Sequence, residues 1–193
     1  MEIYANFIGG KWVPPDAGTY YATHNPAHPE QALGEYPSSG RPDAEAAVTA
    51  ASSAMAAWGA TPGPQRGAIL FRFAQLLEDS RNELGKIITL EQGKALGEAL
   101  GEVSRAVVEA RYMAGEASRP GGQTYPSERA GFSCQTVAEP LGVVATISPW
   151  NFPVVTPVRK IAPAMAFGNT VVFKPASLTP WCCVKRATGS AGN

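Results

Sequence analysis

Apolar residues recur at helical spacing through the middle of the chain, then give way to short continuous apolar runs. Over 42–58, Ala47, Ala51, Ala54, Met55 and Trp58 share one face. That spacing predicts a helix with proline in its first turn, where no N–H is required. Pro62-Gly63-Pro64 breaks it, and a second helix runs to about residue 79 with Ile69, Leu70, Phe73, Leu76 and Leu77 on one stripe. Ser80-Arg81-Asn82-Glu83 has the form of a capping box, in which the serine hydroxyl accepts from the Glu83 N–H. The helix it opens carries Leu84, Ile87, Ile88 and Glu91 to a stop near Gly93. A fourth helix, over 95–117, places Val103, Val107, Ala110, Ala114 and Ala117 at 4-3-4-3 spacing before Arg119-Pro120-Gly121-Gly122 ends it.

On either side of this helical block the period is different. Phe7-Ile8-Gly9-Gly10-Lys11-Trp12-Val13 predicts two short extended pieces around a Gly-Gly turn. Residues 14–42, rich in Pro, Gly, Ser and Tyr, read as mostly loop and edge strand. Residues 124–140 look extended, with a strand over 132–137. Val143-Val144-Ala145-Thr146-Ile147 and Thr170-Val171-Val172-Phe173-Lys174 are strands of the buried type, with a short helix over 157–167 between them. Strand, helix, strand is a βαβ unit, so these two strands should be parallel and the fold class α/β. There is no internal repeat.

Composition narrows the function classes. The 193 residues carry 16 Lys plus Arg and 16 Asp plus Glu, so no charge excess supports a nucleic-acid or anionic-membrane partner. Apolar residues make up 45%, as in ordinary globular chains, which excludes a generic disordered tail. No run approaches the roughly 18 apolar residues of a membrane span, and the first residues lack a basic stretch followed by an apolar one. Three cysteines, Cys134, Cys182 and Cys183, are too few and odd in number for a disulfide framework. These features predict a cytoplasmic protein. The two histidines, His24 and His28, share one Pro-rich loop with no third ligand type, so no metal site is expected.

The chemistry concentrates in residues 139–180. Ligands of a parallel α/β sheet bind outside the carboxyl ends of its strands. Ser148-Pro149-Trp150-Asn151-Phe152-Pro153 follows one strand end and Lys174-Pro175-Ala176-Ser177 the other, so both loops face one crevice. Prolines on both sides of Trp150-Asn151 stiffen the turn, and a rigid turn presenting an amide suits an oxyanion donor. Equally, Asn151 fits a packed turn that caps the next helix. Lys174 suits a phosphate or ribose hydroxyl, or a solvated strand end. The usual Gly-x-Gly-x-x-Gly dinucleotide fingerprint is absent.

Pro149-Trp150-Asn151-Phe152-Pro153, followed by Gly168-Asn169-Thr170-Val171-Val172-Phe173-Lys174-Pro175-Ala176, closely resembles the NAD(P)-dependent aldehyde dehydrogenase superfamily. Ile8-Gly9-Gly10-Lys11-Trp12, Asn25-Pro26-Ala27, Leu90-Glu91-Gln92-Gly93-Lys94 and Glu139-Pro140-Leu141-Gly142 support the likeness, which covers about residues 7–181. The resemblance implies that Asn151 donates to the oxyanion of a thiohemiacetal. It implies that Ile147, Ser148, Pro149, Trp150, Lys174, Ala176 and Ser177 line an NADP or NAD site. It further implies that residues 124–140 belong to an arm used in homo-oligomerisation of the full-length parent. At Ser177, NAD-preferring relatives often have a glutamate. A carboxylate beside a 2′-phosphate costs on the order of several kcal/mol at an effective dielectric near 20, so serine points to NADP, unless it only caps the next helix. Arg159 matches an arginine of the succinate-semialdehyde and 2-oxoglutarate-semialdehyde branch that meets the substrate's distal carboxylate, an arrangement suited to a guanidinium fork. Its alternative is a surface arginine.

The resemblance divides the chain into a mostly helical amino-terminal part of a cofactor domain (1–123), the arm segment (124–140), the first βαβ of a Rossmann-like sheet (141–181) and an aberrant tail (182–193). The family's cysteine nucleophile, general-base glutamate and Gly-rich pyrophosphate turn have no counterpart in these 193 residues. Cys182 and Cys183 follow Pro180-Trp181, where the family starts a cofactor-domain helix, and Cys134 lies in the arm, so none is the catalytic thiol. The expectation is an aldehyde dehydrogenase piece acting on a carboxylate-bearing aldehyde, inactive by itself, with an exposed apolar sheet face. The alternative is a non-catalytic remnant, or an interaction module that pairs with full-length subunits.

Overall fold

The computed structural model describes residues 1–184. Two hairpins open the chain. Strands β1 (Asn6–Ile8) and β2 (Lys11–Val13) pair antiparallel across Gly9 and Gly10. Both glycines have positive φ, 59° and 79°, as a tight two-residue hairpin turn requires. Residues 14–42, read as mostly loop and edge strand, contain more strand than loop: a second hairpin, β3 (Tyr20–Asn25) against β4 (His28–Pro37). Its turn is made by Asn25, whose Oδ1 accepts from the Ala27 N–H at 3.0 Å and whose Nδ2 donates to Gln31 Oε1 at 2.8 Å. Strand β4 leaves little trace in the sequence, because Pro, Glu, Gln and Gly fill it and only its last residues alternate between buried and half-exposed.

Four helices follow: α1 (Arg41–Ala60), α2 (Gly63–Asp79), α3 (Arg81–Gln92) and α4 (Leu96–Glu116). Helix α3 ends on Gly93, whose left-handed φ of 89° suits only a residue without a Cβ. The expected capping box does not form. Ser80 closes α2 and opens α3 at φ −88°, ψ 4°, not the extended geometry a capping hydroxyl needs, and its side chain makes no cap bond. The α2 stripe holds in part: Leu70 is buried, and Phe73 and Leu77 pack against the core. Ile69 and Leu76 are about half exposed, and the buried face runs through Gly67, Leu70 and Ala74. That face meets Ala106, Ala110, Ala114 and Ala117, all nearly solvent-free. Helix α5 (Val155–Ala166) joins the same core through Val158, Ala162 and Ala166.

Beyond α4, β5 (Thr124–Pro126) and β6 (Ser133–Gln135) form an antiparallel hairpin that is exposed at every position. Strands β7 (Val143–Ile147) and β8 (Thr170–Lys174) pair in parallel, with α5 as their crossover, as the βαβ pattern predicts. They are not buried strands, however. In β7 only Thr146 is buried, and β8 is half-buried up to an exposed Lys174. A parallel strand is shielded when both faces are covered. Helices α1 and α5 pack on this pair, which gains no third strand among the described residues. Asn169 fastens the unit: its Oδ1 accepts from Gly142 N at 3.0 Å and its Nδ2 donates to Ala164 O at 3.0 Å. Arg66 ties α2 to the end of α5, donating from Nε to Ala166 O at 3.0 Å. A last short helix, α6 (Trp181–Val184), starts where the resemblance places one and takes in the first residues of the expected aberrant tail, the rest of which lies outside the described residues. Among the described residues no helix is long and apolar enough to cross a membrane.

Candidate functional site

The parallel register of β7 and β8 aligns their carboxyl ends, Ile147 opposite Lys174. Ser148 N donates to Lys174 O at 3.3 Å and carries the ladder one residue further. The turn over 148–153 and the loop over 174–179 therefore leave the sheet side by side, as the sequence implies. Ile147 and Trp150 are 64% and 51% exposed. Ser148 is buried, and its hydroxyl has no partner among the described residues. The Ile147 carbonyl accepts from Lys160 Nζ. Pro149 is exposed.

Asn151 is exposed at the apex of the turn, and its carbonyl accepts from Lys94 Nζ at 2.9 Å. It does not cap α5. The cap position is Val154, and the first amides of the helix, Val154 N and Val155 N, donate to Glu102 Oε1 at 2.8 and 3.1 Å. The Asn151 amide is thus left with no hydrogen-bond partner among the described residues. An amide on a fixed backbone with a free N–H is what an oxyanion donor requires.

On the second loop, Lys174 is exposed and its Nζ donates to Pro175 O at 2.9 Å. Ala176 O accepts from Thr179 N at 3.1 Å, which closes the loop. Ser177 is exposed and lies against the Tyr21 phenol on β3. Nor does it cap the next helix. Glu91 on α3 does, accepting from Trp181 N at 2.6 Å on Oε1 and from Cys182 N at 3.4 Å on Oε2. Arg159 faces α4, where its Nε and Nη2 donate to Glu109 Oε1 at 3.2 and 3.0 Å. Burial pushes the Glu109 carboxyl up, but Arg159 and Arg105 outweigh it and hold the group below its ordinary value. Arg159 has no contact with either loop in the hydrogen bonds of the structure.

Cys182 and Cys183 are half-buried beneath the turn, with sulfurs 3.9 Å apart and Cys183 Sγ 3.4 Å from Pro153 O. The hydrogen bond with Cys183 and burial push the Cys182 thiol up, which leaves it a poor nucleophile. Cys134 is exposed on β6.

Three supporting groups do not stand out as functional in the sequence: Glu91, Lys94 and Glu102. A signal is nevertheless present. Glu102 falls on the face of α4 defined by Ala99, Val103 and Ala106, and Glu91 on the apolar face of α3. An acid on an apolar face needs a partner. Burial pushes Glu91 up to about 8, against the pull of its two backbone donors. Between its unfolded value of 4.5 and about 8 the folded chain holds the extra proton, so stability falls as pH rises through that window. The loss is on the order of a few kcal/mol, at about 1.4 kcal/mol per pKa unit. Urea midpoints measured at pH 5 and pH 9 are expected to fall in the parent chain and to fall less in Glu91→Gln. Parallel pH profiles for the two proteins would remove Glu91 as the cause.

A family model described as "Aldehyde dehydrogenase family" matches residues 12–189. The chain is 43% identical over 185 residues to an alpha-ketoglutaric semialdehyde dehydrogenase of Bacillus subtilis, covering 96% of this chain and 38% of that protein. An alpha-ketoglutarate semialdehyde dehydrogenase of Haloferax volcanii is 42% identical over 189 residues, covering 97% of this chain and 39% of the relative. The crystal structure of an E. coli NADP-dependent enzyme superposes with a TM-score of 0.91 at 37% identity, covering 95% of this chain and 38% of the other. The likeness falls on the amino-terminal part of such structures, and the chain spans well under half the length of these relatives.

Proposed function

The chain belongs to the aldehyde dehydrogenase family, and from that premise we propose that it forms the cofactor-facing, oxyanion-donating part of an enzyme that oxidises a carboxylate-bearing semialdehyde to the acid with NADP or NAD. The observation that carries this reading is Asn151, whose carbonyl is held and whose amide is unspent beside the aligned ends of two parallel strands.

The donor set beside those ends fits a nicotinamide dinucleotide. Ser148 offers a buried hydroxyl with no partner, Lys174 an exposed ammonium, and Ser177 an exposed hydroxyl. Ile147, Pro149, Trp150 and Ala176 would form its apolar bed. When bound, a nicotinamide cofactor would supply the acceptor for hydride from the substrate carbon. The task of this chain is to orient it and to donate a hydrogen bond from the Asn151 amide to the oxygen on which negative charge develops. The exposed β5–β6 hairpin, with Tyr125, Phe132 and Val137 all in water, favours the reading of residues 124–140 as an arm between subunits.

The test is a fusion of residues 1–181 to the carboxyl-terminal remainder of the Bacillus subtilis relative. The fusion is expected to oxidise succinate semialdehyde and 2-oxoglutarate semialdehyde with NADP or NAD. A folded fusion without aldehyde oxidation would overturn the reading. In the same protein, Ser177→Glu should lower the NADP/NAD ratio of kcat/KM, because it sets a carboxylate near the 2′-phosphate. An unaltered ratio removes Ser177 from cofactor choice. A substrate carboxylate has to compete with Glu109 for Arg159. Arg159→Ala should therefore slow acidic aldehydes more than neutral ones, and equal effects on both would remove that role.

A further inference from the structure

The Asn151 turn is gripped from one direction by a buried ion pair. Lys94 follows the left-handed Gly93 at the end of α3, and Glu102 lies on the inward face of α4. Their side chains are 10% and 1% exposed, and Lys94 Nζ lies 2.7 Å from Glu102 Oε2. A pair this dry is retained at low cost only if the remaining donors and acceptors are satisfied. Here all of the remaining bonds go to one stretch of chain. Lys94 Nζ donates to Asn151 O at 2.9 Å and rides 4.2 Å over the Phe152 ring. Glu102 Oε1 accepts from Val154 N and Val155 N.

We propose that Lys94 and Glu102 are positioning residues for the oxyanion donor, acting together to fix the backbone of residues 151–155 so that the Asn151 amide faces the crevice. The inference rests on the reading of Asn151 as that donor. Glu102 alone would satisfy the start of α5. The Lys94 bond is what extends the grip to the residue that does the donating, and the attraction between the ammonium and the Phe152 ring adds a second hold on the same turn. Glu102 comes from α4 and Lys94 from the three-residue connection between α3 and α4, so the turn is tied to the α3–α4 core rather than left to its own loop.

The experiment uses the 193-residue chain, labelled with 15N, and reads amide hydrogen exchange in Lys94→Met and Lys94→Arg. Without the ammonium, Glu102 is a buried unpaired charge, and the turn opens to hydrate it. Exchange at Val154 and Val155 is expected to rise by roughly 10- to 100-fold in Lys94→Met, the range that follows from losing a charged hydrogen bond. Amides of Leu70 and Ile88, in α2 and α3, should be unaffected. Lys94→Arg keeps the charge and should return most of the protection. Unaltered exchange at Val154 and Val155, or an equal rise at Leu70 and Ile88, overturns the proposal. Should Lys94→Met not fold, Glu102→Gln carries the same measurement, since it keeps the shape and one acceptor while removing the charge opposite Lys94. No aldehyde or cofactor enters this experiment. An intact turnover in Asn151→Ala would sink the oxyanion reading while leaving the exchange result standing, and the converse pattern would sink the positioning alone.

Discussion

Gly67→Ala is expected to destabilise the chain by about 2 kcal/mol, within the 1–3 kcal/mol typical of an overpacked core. Alanine is ordinarily the better helix former by about 1 kcal/mol, so the sign is the informative part. Helices α2 and α4 approach so closely that a Cβ at Gly67 would lie 2.6 Å from the carbonyl oxygen of Ala114. That oxygen belongs to the backbone of a helix and cannot rotate away. Gly63, one turn earlier, is closer still, with a Cβ 2.1 Å from Ala117 O. The helices would have to part, and the contact among Ala110, Ala114 and Ala117 would loosen. Gly101 supplies the opposite case. It lies in the middle of α4, exposed, with nothing within 4 Å of the place a methyl group would take. Gly101→Ala should therefore stabilise by up to about 1 kcal/mol. Thermal midpoints of the two variants moving in the same direction would show that the close approach does not set the cost.

Asn151→Ala, in the fusion of residues 1–181, is expected to lower kcat by roughly 10²- to 10³-fold with little effect on the aldehyde KM, since an oxyanion donor acts where charge develops. The structure separates this loss from unfolding. The Asn151 side chain is exposed, has no hydrogen bond and does not cap α5, so its removal should leave the melting temperature nearly unchanged. A kcat within a few fold of the parent, or a melting temperature that drops with it, would refute the assignment.

Apolar side chains at regular spacing, the alanines of α4 among them, locate α3 and α4, and two short apolar runs locate the β7–α5–β8 unit and its parallel sense. The α2 stripe is right at Leu70, Phe73 and Leu77 and wrong at Ile69 and Leu76, because the fully buried positions beside Leu70 are Gly67 and Ala74. Gly67 and Ala74 carry less hydropathy signal than Ile69 and Leu76 beside them, and the value of Gly67 lies in letting two backbones meet. The hairpin over residues 20–37 is hidden by its polar, Pro-rich composition, since an edge pair open to water needs little apolar alternation. At the site, motif spacing brings the two loops to one sheet end. It does not reveal that Glu102 takes the first amides of α5, because that contact joins residues 52 and 53 positions apart. Nor does it reveal that Arg159 is engaged by Glu109, 50 positions away.

The bond between Glu91 and the start of α6 spans 90 residues of chain. During synthesis, at roughly 5–20 residues per second, Trp181 emerges about 5–20 s after Glu91. Through that interval the acid has neither of the backbone amides that donate to it in the folded chain. Helix α3 can form early, but its Glu91 carboxyl gains these two donors only when α6 arrives, so an acid on an early helix waits on a late one for its partners.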